Sequence, residues 1–216
     1  SPYWRIPSNF DQEDALKSIS AVGGKVTRTY VFSVKSPDNP GKKVAHVEGI
    51  DAKGKLIFNE VAFKAFDNAL ALSHKYGVRL FVPLVDNWSW WGGIHDYDNL
   101  AGVKPNTSLG DDPFWTDLKV RELFKQTISY VLNRTNTKTG VKYMNDPAIL
   151  AWETGNELAA PAEWTKDISA YIKSIDSNHL VMDGRQGTMG VDKTAYPNID
   201  ILSNHYYGGS GYTARA

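Results

Sequence analysis

Apolar positions along the chain switch between two spacings. Over residues 9–22, Phe10, Leu16, Ile19 and Val22 fall on or near one helical face. Asn9 with Gln12 reads as a capping box, and Gly23-Gly24 as the stop. Residues 25–34 then read as a β-branched and aromatic strand. A second helix is predicted over about 60–76, with Phe63, Phe66 and Leu70 spaced i, i+3, i+7 and Gly77 ending it. Residues 78–85 are a nearly continuous apolar run, the pattern of a parallel strand buried on both faces, with Pro83 limiting its far end.

The pattern repeats downstream. A helix from Pro113 to about Leu132 puts Val120, Leu123, Phe124, Thr127, Ile128 and Val131 on one stripe. Residues 148–154 form the next strand, and a helix starting at Pro161 carries Trp164, Ile168, Tyr171, Ile172 and Ile175. Short strands are predicted over 179–182 and 199–203. Strand and helix alternating in this way means βαβ units and a parallel α/β sheet, within a single domain spanning 1–216. The long connections, 35–59 and 86–115, both leave the C-terminal ends of strands, the end that carries the active site in a parallel barrel. A doubly wound open sheet is the alternative, but its glycine-rich phosphate turn is not seen after the first strand.

Composition narrows the partners. Lys+Arg and Asp+Glu number 24 each, so the net charge is zero, which argues against nucleic acid or an anionic membrane as a partner. The absence of cysteine excludes disulfides, zinc–thiolate sites and thiol catalysis. No apolar run reaches transmembrane length, and Ser1-Pro2-Tyr3-Trp4 does not read as a signal peptide. His46, His74, His95, His179 and His205 show no i, i+4 pairing, so neither a metal nor another cofactor is expected. The 7 Trp and 11 Tyr suit an uncharged ligand such as a sugar, whose ring faces are apolar and edges polar.

Chemistry concentrates at residues 149–157, where an apolar strand runs into Glu153, Asn156 and Glu157. Glu157 falls at the strand tip, on the rim. Glu153 and Glu157 are not partners in one reaction: four strand residues span about 13 Å, against about 5 Å for a retaining glycosidase pair. Glu153 is expected to be buried and hydrogen-bonded in the sheet.

Trp152-Glu153-Thr154-Gly155-Asn156-Glu157 resembles the strand-four signature of glycoside hydrolase family 5, in its β-mannanase branch. Four further segments resemble that family in the same order: residues 25–30 with Arg28, the tryptophan-rich loop 85–93, the stretch 134–149, and Asn204-His205-Tyr206-Tyr207. The resemblance implies a (β/α)8 TIM barrel, incomplete in this chain. Strands two to six are present, Ser1–Trp4 is the tail of strand one, and strands seven and eight are missing with the nucleophilic glutamate. It implies a retaining hydrolase of β-1,4-mannan, monomeric as the complete enzyme and secreted, with the 216 residues inactive alone.

Within that reading Glu157 is the acid/base and Asn156 meets the sugar 2-hydroxyl. Arg28 holds the nucleophile, and His205 and Tyr207 complete the polar network. Trp88 stacks on a sugar, Asn87 reaches hydroxyls, and Trp4, Trp90 and Trp91 stand behind. Three plain alternatives remain: Arg28 as a barrel-interior ion pair, His205 as a satisfied rim histidine, and Trp90 and Trp91 as loop packing. Leu158-Ala159 departs from the family's Pro-Arg, losing an arginine that would grip leaving-group sugars and leaving exo-β-mannosidase or β-glucanase action open. A non-catalytic carbohydrate-binding barrel is the alternative of another class.

Overall fold

The computed structural model describes residues 7–36, 44–106, 108, 110–187 and 196–205. Helix α1 is Asn9–Ala21, and its capping box is made by Ser8 and Asp11, one residue earlier on each side than the Asn9–Gln12 pair that spacing suggested. Ser8 Oγ accepts from Asp11 N and the Asp11 carboxylate accepts from Ser8 N. Strand β1 is only Val26–Arg28, shorter than the predicted 25–34, although Val34 still makes an isolated bridge to Val47. The connection that follows holds an antiparallel hairpin, β2 (Val47–Ile50) and β3 (Leu56–Phe58), which sequence reading passed over as loop.

Helix α2 (Glu60–Tyr76) is as predicted, capped by Asn59 and ended by Gly77 in the left-handed region. Strand β4 (Arg79–Pro83) follows, with Pro83 as its last residue. Beyond it, the Trp88 loop makes one turn over Ser89–Trp91, and an unpredicted helix α3 occupies Ile94–Ala101. The helix expected from Pro113 is two: α4 (Pro113–Thr116) and α5 (Leu118–Asn133), divided where the Asp117 carboxylate caps α5. Strand β5 (Ile149–Glu153), α6 (Ala162–Ile175) and β6 (Leu180–Met182) complete the order. The strand expected at 199–203 is reduced to a bridge between Ile201 and Met182.

β1, β4, β5 and β6 form one parallel sheet in that order. Sequential strands lying side by side, each pair joined through a helical connection, describe an arc of a (β/α)8 barrel rather than a doubly wound sheet with its reversed strand order. The helical side is packed by Phe114, Trp115, Phe124 and Trp164, with the Phe124 and Trp164 rings stacked. Trp152, fully buried on β5, satisfies its indole N–H on Asp176 at 2.6 Å. Ladder register brings the C-terminal ends of β4 and β5 level, because Pro83 pairs with Glu153, and β1 ends two residues short of them with Arg28 against Phe81. No helix among the described residues is long and apolar enough to cross a membrane.

Candidate active site

After β5 the backbone turns under close constraint. A Cβ on Gly184 would lie 2.0 Å from Gly155 O, and one on Gly155 would lie 2.7 Å from Val85 O, so two backbones meet where only glycine fits. Asn156 N then donates to Val85 O at 2.7 Å, and Asn87 N to Asn156 O, which extends the β4–β5 ladder by one bridge at Asp86–Asn156. Leu158, buried, donates its N–H to Gly184 O. Between these two anchored neighbours Glu157 takes φ 55°, the only non-glycine residue with positive φ among the described residues. Such a conformation costs about 1–3 kcal/mol and persists because both flanks are fixed.

That turn delivers the Glu157 carboxylate to the C-terminal edge of the sheet, mostly buried. Trp88 Nε1 donates to its Oε2 at 2.6 Å, and His205 Nδ1 faces its Oε1 at 3.3 Å. Burial lowers the His205 pKa; the Glu157 carboxylate opposes this and the Arg28 charge adds to it, with a net downward shift. At neutral pH the imidazole is therefore largely uncharged.

Beside Glu157, Asn156 lies between two groups of opposite hydrogen-bonding character. Arg28 Nη2 donates to its Oδ1 at 3.0 Å, and its Nδ2 donates to Asp86 Oδ1 at 2.9 Å. A donor-only guanidinium on one side and a carboxylate on the other fix which way the amide points. Arg28 also grips Glu153 through Nε at 2.6 Å and Nη2 at 2.9 Å. Burial raises the Glu153 pKa, and the Arg28 pair only partly offsets it. Asp86, fully buried, also accepts from Tyr30 Oη at 2.5 Å and Trp90 Nε1 at 3.0 Å; burial still holds its pKa above the usual carboxylate value.

Of the residues named from sequence, Arg28, Asn156, Glu157, His205, Trp88 and Trp90 are brought together at one rim. Arg28 makes an ion pair with Glu153. Glu153 and Glu157 face different neighbours, as their spacing required. Asn87 is nearly buried and its Oδ1 accepts from Ala159 N at 3.2 Å, so it ties the Trp88 loop to the turn after β5. Trp91 meets Tyr30 edge to face and is only partly exposed. Trp4 and Tyr207 lie outside the described residues. Sequence reading missed Asp86 and Tyr30 as site residues. Asp86 carried the same signal as Glu157, an acid at the end of an apolar strand entering a loop. Among the described residues, no three His, Asp or Glu side chains are placed to hold a metal.

An arc of parallel strands whose polar side chains gather at the C-terminal ends, around a carboxylate held by an indole, belongs to the (β/α)8-barrel class, whose sites lie on that rim. Comparison with known proteins makes the class specific. The family described as GH family 5 beta-mannosidase-like matches residues 13–208, so the chain belongs to glycoside hydrolase family 5.

A tomato protein (Solanum lycopersicum) named mannan endo-1,4-beta-mannosidase 4 is 34% identical, with 94% of this chain and 52% of that protein covered. An Arabidopsis thaliana protein named mannan endo-1,4-beta-mannosidase 7 is 32% identical, covering 89% and 48%. The crystal structure of an endo-1,4-beta-mannanase from Rhizomucor miehei superposes with a TM-score of 0.79 at 28% identity, covering 96% of this chain and 65% of that one. A family 5 mannosidase from the same fungus gives 0.75 at 26% identity, covering 90% and 51%. The chain thus spans about half the length of the curated relatives it matches.

Proposed function

We propose that the protein carrying this chain is a retaining β-1,4-mannan hydrolase of the endo-mannanase kind, with Glu157 as acid/base. The observation that carries this is the Glu157 carboxylate, presented at the strand tip by a strained turn and held by Trp88 and His205. In the reaction Glu157 gives its proton to the glycosidic oxygen as the bond breaks, then takes one from the attacking water. Asn156 has one amide hydrogen beyond the one given to Asp86, which suits the sugar 2-hydroxyl. Half-exposed Trp88 and Trp90 offer flat faces to pyranose rings.

Double displacement needs a second carboxylate about 5–5.5 Å from the first. Glu153 is engaged by Arg28, and Asp86 by three side-chain donors, so neither is free to attack. The nucleophile is therefore assigned outside the described residues, and residues 1–216 alone are expected to be inactive. We infer that the protein works outside the cell, because a polymeric mannan substrate is met there.

Glu157→Gln in the full polypeptide is expected to lower kcat on β-1,4-mannan about 10²–10⁴-fold. On an aryl β-mannoside with a good leaving group, which needs no proton to depart, glycosylation should lose far less. Unchanged turnover of both substrates would remove Glu157 from the chemistry. The exo alternative rests only on Leu158 and Ala159, which stand where an arginine would face leaving-group sugars, and the names of the curated relatives do not favour it. Single mannose units as the first products from mannohexaose would select it.

A further inference from the structure

The reading above leaves unexplained why a fully buried carboxylate sits behind the site. Asp86 follows β4 in a position where its backbone bridges Asn156, and its side chain collects donors from three directions. Asn156 Nδ2 comes from the β5 tip, Tyr30 Oη from the segment after β1, and Trp90 Nε1 from the aromatic loop. Trp90 and Tyr30 also meet edge to face, at 6.2 Å and 89°. Asp86 is closed to solvent, so it does not touch a sugar; Asn156 stands between it and the reacting end, and Trp90 between it and the open cleft.

We propose that Asp86 is a positioning residue that locks the amide of Asn156 and the indole of Trp90 in one fixed relation. This rests on the mannan-hydrolase reading and deepens it. The group that meets the reacting sugar and a platform for a neighbouring ring are set by the two oxygens of one carboxylate: Oδ1 holds Asn156, and Oδ2 holds Tyr30 and Trp90. A carboxylate is needed because only an acceptor on both sides satisfies donors on both sides. Charge-assisted bonds of this kind are shorter and stronger than neutral ones, which suits a clamp that holds two side chains at once.

The test follows from hydrogen-bond polarity. In Asp86→Asn the introduced amide has one oxygen, so it retains either Asn156 or the Tyr30–Trp90 pair. Misplacement of a positioning group by about 1 Å costs about 10²-fold. In the full polypeptide, kcat/KM on mannohexaose is therefore expected to fall about 10²-fold at temperatures well below melting. The fall will sit in kcat if Asn156 is released and in KM if Trp90 is. Adding Asn156→Asp restores complementarity, since the introduced carboxylate accepts from both the amide and Arg28. The indole N–H resonance of Trp90 and the melting temperature should then return to wild type, while kcat stays low because the sugar-facing amide hydrogen is gone.

Wild-type kcat and KM in Asp86→Asn would overturn the proposal. Should that variant not fold, Tyr30→Phe decides: removing a donor that shares Oδ2 must move the Trp90 indole resonance, and an unmoved resonance overturns the link. If wild type cleaves no mannan, the functional reading falls, while the two resonance experiments still report on Asp86.

Discussion

Two arginine–carboxylate pairs, each with a fully buried acid, hold this protein, and they are built differently. Away from the rim, Arg134 is almost buried and grips Asp67 through Nε at 3.1 Å and Nη2 at 2.8 Å. Asp67 accepts three more bonds, from Tyr143 Oη and from Thr137 Oγ1 and N. Burial alone would raise its pKa, but the Arg134, Tyr143 and Thr137 bonds outweigh it and hold the carboxyl below its usual range. At the rim, Arg28 has the same two-pronged grip on Glu153, yet among the described residues no other group donates to that carboxylate. There burial wins and the pKa is raised. With the same ion pair, the sign of the shift is decided by the number of further donors. The oversupplied pair fastens the Thr137 turn to α2. In the undersupplied one the Arg28 Nη2 that grips Glu153 donates to Asn156 as well.

The largest expected effect is on stability, at the base. Arg134→Met leaves Asp67 charged and buried, a loss of about 3–5 kcal/mol in denaturant unfolding, with turnover by the folded fraction unchanged. A loss below about 1 kcal/mol would show that Tyr143 and Thr137 alone satisfy Asp67, and would erase the distinction. Arg28→Met is the counterpart. Burial already favours the proton on Glu153, so that carboxyl can neutralise itself, and the stability loss should stay under about 2 kcal/mol. Asn156, however, loses the donor to its Oδ1, and kcat should fall about 10²–10³-fold, the cost of losing one preorganised electrostatic contact. Equal stability losses with kcat intact would make the rim pair a structural fastener like the other.

This contrast was only half visible in the chain's spelling. The apolar run before Glu153 and Glu157 placed both on one strand and kept them apart, and the spacing on α2 fixed its face. The hairpin β2–β3 was missed because its strands are four and three residues long. Helix α3 was missed because Asp96 and Asp98 interrupt the buried stripe of Ile94, Tyr97 and Ala101, although Gly93 and Gly102 mark its ends. The Asn87 tie to Ala159 was invisible because its amide oxygen meets backbone across a turn, and no local pattern reports that. Asp86 was overlooked for a similar reason. Its partners lie 56 and 70 residues away, and only strand register brings them within reach.

A third buried acid takes the comparison to its limit. Asp98, on α3, is fully buried, and neither of its carboxyl oxygens has a donor among the described side chains except through a shared proton. Its neighbour Asp112 is itself an acid, bound to His95 at 3.1 Å and capping Phe114 N. Burial first, and then the Asp112 carboxylate beside it, push Asp98 up to about 8, so it stays protonated at neutral pH. The folded pKa lies above the unfolded one of 3.8, so this contribution is fully present below that value and is lost as pH rises through about 8. Asp98→Asn mimics the protonated acid with an N–H that never leaves. The two proteins should therefore melt together near the unfolded pKa, and the variant should gain about 1–2 kcal/mol above the folded one. Equal melting curves across the whole range would mean that Asp98 ionises at no cost. The number of donors would then not be what separates the three acids.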